Sequence, residues 1–303
     1  MKILFTGTPS SASIVLKGLV SSGHDVTAVL TREDSEVGRK RILTPSPVAV
    51  TAEQLGIKVI KSNRISDETL SQIVKTGAEI AIVVAYGSIL NSKALKAVPN
   101  GWFNLHYSLL PKYRGAAPVQ HALIEGEQET GITLFKLDEG MDTGPILSTL
   151  PVSIELNENA GDLIQRMSAL GVTLLNQEMP KIYNGEPNLT PQTGTPSFAP
   201  KILRADAHLD FNIRAQAVVN FVRGMNPEPM AWANVGEQTV RVLSAVETHT
   251  HDGYPGQIIH SDKAVVVCGE GTAIELLEVQ PAGKNPMAGL EWIRGLRGQE
   301  VLT

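Results

Sequence analysis

Three residues of the 303-residue chain have types and spacing suited to chemistry on a carbonyl: Asn104, His106 and Asp142. Asn104 and His106 stand two apart in a strand-like run, so their side chains point to one face of a sheet and can converge on one atom. A carboxamide donor beside an imidazole suits a reaction in which a carbonyl oxygen gains negative charge, because donors already in place need not reorganise. Asp142 falls in a glycine-bounded turn, Gly140-Met-Asp142-Thr-Gly144, that can return beside His106, set its tautomer and accept a proton. Taken singly, each has a plainer explanation: turn chemistry for the Asn, packing or solvation for the His, a turn acceptor for the Asp.

The elements that must position these groups alternate between two periods. Short apolar runs at residues 2–6, 25–30, 57–60, 80–85, 102–106 and 131–137 read as strands. Helical spacing fills residues 10–22, 47–55, 67–76 and 117–125 between them. That alternation predicts an α/β fold, a Rossmann-like doubly wound parallel sheet covered by helices. A long helical pattern over 160–183 gives way to a Pro-, Thr- and Gly-rich stretch at 186–200 that reads as a linker. Beyond it, one helix carrying Ala217, Val218, Phe221 and Val222 precedes strand-like runs at 230–235, 239–243, 256–259, 264–268 and 273–279. Several short strands with turns between them predict a smaller, OB-like β-barrel. The expected division is a catalytic domain at 1–185, a linker at 186–206 and the barrel domain at 207–303.

Composition narrows the class. Hydrophobic residues at 42% and charged residues at 19% match a globular chain and exclude long disorder. No apolar run approaches the length of a membrane span, and Lys2 leads directly into Ile3-Leu4-Phe5 without a signal-peptide core, so a cytoplasmic protein without membrane association is expected. Cys268, the single cysteine, follows Val265, Val266 and Val267 and reads as a buried structural thiol. Thr6-Gly7-Thr8-Pro9 lacks the second and third glycines of a dinucleotide fingerprint, which argues against nicotinamide binding. His249 and His251 have strand spacing for a metal, but no acidic or thiol cluster accompanies them, and no metal is expected. A net charge of −5 argues against indiscriminate nucleic-acid binding and leaves room for a local basic surface aimed at one RNA.

The longer segment Asn104-Leu-His106-Tyr-Ser108-Leu-Leu-Pro111, with Asp142-Thr-Gly144 downstream, resembles the signature of the 10-formyltetrahydrofolate transformylases. The resemblance implies formyl transfer from 10-formyltetrahydrofolate as co-substrate, with Asn104, His106 and Asp142 as catalytic triad. It implies a folate site lined by Ser108, Leu109, Leu110 and Pro111 and by the segment bearing Tyr86, Gly87 and Ile89. Members acting on glycinamide ribonucleotide, on aminosugars and on methionyl-tRNA share this triad. Three features are similar to the members that act on tRNA: Val84-Ala-Tyr-Gly87-Ser-Ile-Leu90 with Arg114-Gly-Ala-Ala-Pro118; the loop Gly38-Arg39-Lys40-Arg41; and the extension containing Asn226-Pro-Glu-Pro229 and Pro281-Ala-Gly-Lys284. They imply initiator methionyl-tRNA as partner, contacts from Arg39, Lys40 and Arg41, and a monomer needing no other protein. Lys40 stands where many relatives have a second glycine, and Tyr107 where the residue is usually smaller. The region 207–303 holds seven Lys and Arg against eleven Asp and Glu, so any basic face must be local, built from Arg214, Arg223 and Arg241 with the 39–41 loop.

Overall fold

A computed structural model describes residues 1–38, 40–249, 252–296 and 301–303, in two compact units. The first comprises residues 1–118, 129–153 and 164–200; the second comprises 119–128, 154–163 and 201–303. The Pro-, Thr- and Gly-rich stretch belongs to the first unit as far as Pro200.

The first unit is built on a seven-stranded sheet in the order Ile146–Ser153, Glu129–Lys136, Trp102–His106, Ile80–Val84, Ile3–Gly7, Val26–Thr31, Lys58–Lys61. The five strands from Trp102–His106 to Lys58–Lys61 are parallel, Glu129–Lys136 pairs antiparallel with Trp102–His106, and Ile146–Ser153 pairs antiparallel with Glu129–Lys136. Ile3–Gly7 and Ile80–Val84 are buried at every position, as helices on both faces require. Their carboxyl ends are the point where the chain order reverses, the place where open α/β sheets form a crevice.

Helix starts follow local chemistry. Ser46 caps the helix Pro47–Gln54 by accepting from the Ala49 N–H, with Pro47 in the first turn, where its missing N–H costs nothing. Ser66 caps Asp67–Lys75 in the same way, with Asp67 and Glu68 in the first turn and Lys75 in the last, complementing the helix dipole. Among the elements outside the sequence reading are a hairpin and an edge strand. Residues read as a loop form a hairpin, Ser35–Val37 with Ile42–Thr44. Ile146–Ser153 is a further edge strand, where Pro151 is tolerated because an edge leaves backbone donors unneeded.

Tyr107 fits because its hydroxyl reaches Ser168 Oγ at 2.8 Å, while Gly171 on the same helix leaves room for Leu105. Burial pushes the Tyr107 phenol up to about 12, so it stays neutral.

The second unit packs helix Ala215–Met225 and helix Gly289–Arg294 against an antiparallel sheet ordered Ala231–Val235, Gln238–Thr248, Ala273–Pro281, Ala264–Val267, Ile258–His260. Val301 bridges Gln257 and Leu302 bridges Val235, so the final segment joins the two edges and closes the sheet. Cys268 is 1% exposed, and burial raises its thiol to about 12, an inert packing residue.

Candidate active site

The strand Trp102–His106 carries Asn104 opposite Phe135 and His106 opposite Thr133 on the antiparallel neighbour Glu129–Lys136. The spacing of two thus brings both side chains to one face. Asn104 is half-buried, and its carboxamide has no hydrogen-bond partner among the described residues, which leaves both donors unused.

His106 is 6% exposed and packs edge-on against the Phe135 ring. Its Nε2 lies 2.9 Å from the Tyr113 carbonyl. A carbonyl can only accept, so Nε2 carries the hydrogen and the neutral ring keeps its lone pair on Nδ1. That Nδ1 faces Asp142 Oδ2 at 3.8 Å, too far for a direct hydrogen bond and close enough for the carboxylate to favour the protonated ring. Burial lowers the His106 pKa, opposed by the Asp142 carboxylate and then by the Tyr113 carbonyl. The ring is therefore neutral near pH 7 and presents a basic nitrogen to a carboxylate.

Asp142 itself sits at φ 52, in the left-handed region. The Gly115 N–H donates to its Oδ2 at 2.8 Å. Gly144, two residues on, is backed so closely by the Lys136 carbonyl that no side chain fits. The expected folate residues fall around the same strand end. Ser108 Oγ donates to the Lys112 carbonyl at 2.6 Å, and its own carbonyl accepts from Thr133 Oγ1 at 2.6 Å. Thr133 Oγ1 in turn accepts from the Leu110 N–H at 3.1 Å, so one hydroxyl ties two residues of the turn. The Leu109 side chain lies over Gly131, where a Cβ would collide with it.

The Tyr86-to-Ile89 segment is pinned on all sides. Thr8 Oγ1 donates to the Tyr86 carbonyl at 2.9 Å, Arg32 Nη1 to the Gly87 carbonyl at 2.6 Å, and Ser88 Oγ to the Asn63 carbonyl at 3.0 Å. The Tyr86 hydroxyl is spent on the Ser62 carbonyl at 2.7 Å, so Tyr86 offers its backbone and not its side chain. Ile89 is 81% exposed on this fixed loop.

Of the three basic loop residues, Arg39 lies outside the described residues. Lys40 is exposed, and Arg41, 80% exposed at its side chain, pairs with Glu36 at 3.0 Å. Residues that the sequence reading passes over complete the first unit's site. Gln192, from the Pro-rich stretch, reaches the Asp142 turn, and Ser197 Oγ accepts from the Tyr113 N–H at 2.9 Å. No periodicity marks either. Among the described residues no group of three or more His, Cys, Asp or Glu is arranged for a metal ion, and no helix is long and apolar enough to cross a membrane.

A family model described as formyl transferase matches residues 1–179, and one described as formyl transferase, C-terminal domain, matches residues 201–297. A methionyl-tRNA formyltransferase of Paenarthrobacter aurescens (strain TC1) is 45% identical over 301 residues, covering 99% of this chain and 98% of the relative. The chain belongs to the methionyl-tRNA formyltransferase family. A second member, from Renibacterium salmoninarum, is 42% identical over 98% of this chain and 97% of its own. Among solved structures, an N-formyltransferase of Helicobacter canadensis, in complex with folinic acid and dTDP-3-aminofucose, superposes with a TM-score of 0.67 at 21% identity. It covers 91% of this chain and 98% of that one. A methionyl-tRNA formyltransferase of Clostridium thermocellum gives 0.56 at 14% identity, covering 84% and 94%. At these identities the structural likeness is one of fold, and it extends the family's α/β architecture to this chain.

Proposed function

We propose that this chain transfers the formyl group of 10-formyltetrahydrofolate to the free amino group of initiator methionyl-tRNA, in the cytoplasm. The observation that carries the chemistry is an unused carboxamide, Asn104, two residues from a buried imidazole whose bare Nδ1 faces a carboxylate. The full-length identity to methionyl-tRNA formyltransferases supports the acceptor.

Asn104 donates to the formyl oxygen as it gains charge under attack by the amine. His106 takes the amine proton on Nδ1, the one ring nitrogen free to accept it, and Asp142 stabilises the imidazolium that results. Because Nε2–H is committed to Tyr113, His106 can donate toward the oxyanion only after that proton transfer. The neutral resting ring leaves the first stabilisation to Asn104. The folate amine then leaves and is protonated.

The residues present fit a flat aromatic co-substrate. A loop whose carbonyls are already engaged offers backbone N–H groups and an uncovered Ile89, and Leu109 and Pro111 supply apolar surface. The test is formyl transfer from 10-formyltetrahydrofolate to initiator methionyl-tRNA, beside Asp142→Asn and an elongator methionyl-tRNA control. Activity in the wild type with preference for the initiator supports the reading. Folate consumption with no product on either tRNA would overturn the acceptor.

A further inference from the structure

Gln192 is the centre of a clamp around Asp142. Its Nε2 donates to the Asp142 carbonyl at 2.8 Å and to the Gly144 carbonyl at 2.9 Å, stapling the turn that holds Asp142 at positive φ. Its Oε1 accepts from Arg114 Nη2 at 2.6 Å and Nε at 3.2 Å. Two carbonyl oxygens at one end and a guanidinium at the other admit a single orientation of the amide. Arg114 precedes Gly115, whose N–H donates to Asp142 Oδ2. One side chain therefore fixes the carboxylate from both sides: through the backbone of residue 142 and through the strand that supplies its donor.

The surrounding chain holds Gln192 in place. Thr190 exchanges backbone hydrogen bonds with Ile146 at 2.8 and 2.9 Å, and Phe198–Ala199 pairs in parallel with Arg114–Gly115. Ser197 reaches the Tyr113 N–H, and Tyr113 supplies the carbonyl that sets the His106 tautomer. The stretch from Thr190 to Ala199 thus touches the support of both His106 and Asp142.

We infer that Gln192 is a positioning residue for the formyl-transfer site, acting through Asp142 to hold its carboxylate opposite His106 Nδ1. The inference rests on the proposed reaction for its kinetic consequence and on geometry alone for its effect on His106. A displacement of about 1 Å in a reacting group can cost roughly 100-fold. Gln192→Ala is therefore expected to lower kcat by roughly 10- to 100-fold, with KM for both substrates nearly unchanged, the pattern of a group that acts only in the transition state.

The decisive measurement is a double-mutant cycle with Asp142→Asn. If Gln192 works through Asp142, adding Gln192→Ala to Asp142→Asn should cost less than about threefold, because residues acting as a unit are not additive. A purely structural role would cost the same in both backgrounds and would overturn the inference. Gln192→Glu keeps the size and the Arg114 partner while losing the two donors. It should reproduce the kcat loss, and wild-type turnover in it would equally overturn the inference.

A second readout needs no turnover. The groups facing the His106 ring are the Asp142 carboxylate, the Tyr113 carbonyl and the Phe135 ring. Loosening the carboxylate removes a contribution that favours the protonated ring, so nitrogen NMR should find His106 of Gln192→Ala titrating at lower pH, as in Asp142→Asn. An unmoved titration in Gln192→Ala with a moved one in Asp142→Asn would refute the coupling. A wild-type enzyme silent on tRNA would refute the proposed acceptor and leave the NMR comparison to decide on Gln192.

Discussion

At the scale of single residues, the division of labour between Asn104 and His106 follows from one hydrogen bond. With Nε2–H given to Tyr113, the neutral imidazole is a base and not a donor, and the carboxamide is the group free to meet the developing oxyanion. Removing one such donor elsewhere costs roughly 10² to 10³ in turnover, so Asn104→Ala should lose activity on that scale with little change in stability. Near-normal kcat in that variant would remove Asn104 from the mechanism. The pH dependence follows from the same geometry. Burial holds His106 below the ordinary histidine value of about 6.5, and the active form is the neutral one. The limb of kcat/KM assigned to it should therefore lie below about pH 6.5, and a second rise nearer the α-amino value of about 7.7–8.0 belongs to the attacking amine, which must be neutral. A His106 titration above the ordinary value, followed by nitrogen NMR, would mean that Asp142 outweighs burial.

At the scale of elements, the site depends on backbone fits that only glycine satisfies. Gly115 stands at φ 126, and a Cβ there would lie 2.6 Å from the Ala199 carbonyl. Gly115→Ala should force the paired segments apart, cost about 1–3 kcal/mol of stability, and move the N–H that holds Asp142. Thermal unfolding and kcat should fall together, whereas a stable variant with lost activity would separate the strand pairing from the carboxylate. The central parallel strands Ile3–Gly7 and Ile80–Val84 were legible because their apolar runs are buried throughout, and period two put Asn104 beside His106. The bounding glycines marked the Asp142 turn, and only the resemblance joined Asp142 to Asn104 and His106. The hairpin Ser35–Val37 with Ile42–Thr44 was not, since exposed Val37, Ile42 and Leu43 bury no face that would set an alternation. Ile146–Ser153 hid behind Pro151 and a mostly accessible edge. Gln192 left no local trace, because its partners stand 50 and 48 residues away and nothing in a Pro-rich stretch selects for a period.

At the scale of the whole molecule, charge sets the terms on which an RNA can be held. The chain carries −5, and two of the three arginines expected to form a basic face in the second unit, Arg223 and Arg241, are already engaged in hydrogen bonds. Arg223 donates to the Glu158 and Glu155 carbonyls at 2.9 and 2.8 Å, Arg241 to Gln280 at 3.0 Å, and Arg214 pairs with Glu270 at 3.3 Å. By contrast, Arg41 is tied only to exposed Glu36 and Arg214 only to exposed Glu270, pairs of the kind worth about 0–1 kcal/mol, and a phosphate can displace either readily. Each phosphate contact releases counterions, so it contributes to the fall of affinity with salt. Under the proposed function, Arg41→Ala should raise KM for methionyl-tRNA and reduce the slope of log affinity against log salt by about one, with kcat at saturating tRNA unchanged. Arg223→Ala should do the opposite: leave the slope as it is and lower the unfolding temperature, because it abandons the Glu155 and Glu158 carbonyls. Measuring tRNA affinity across a salt series for both variants separates a cation that meets RNA from one that holds the fold. An Arg223 slope change with an unmoved Arg41 slope would reverse the assignment.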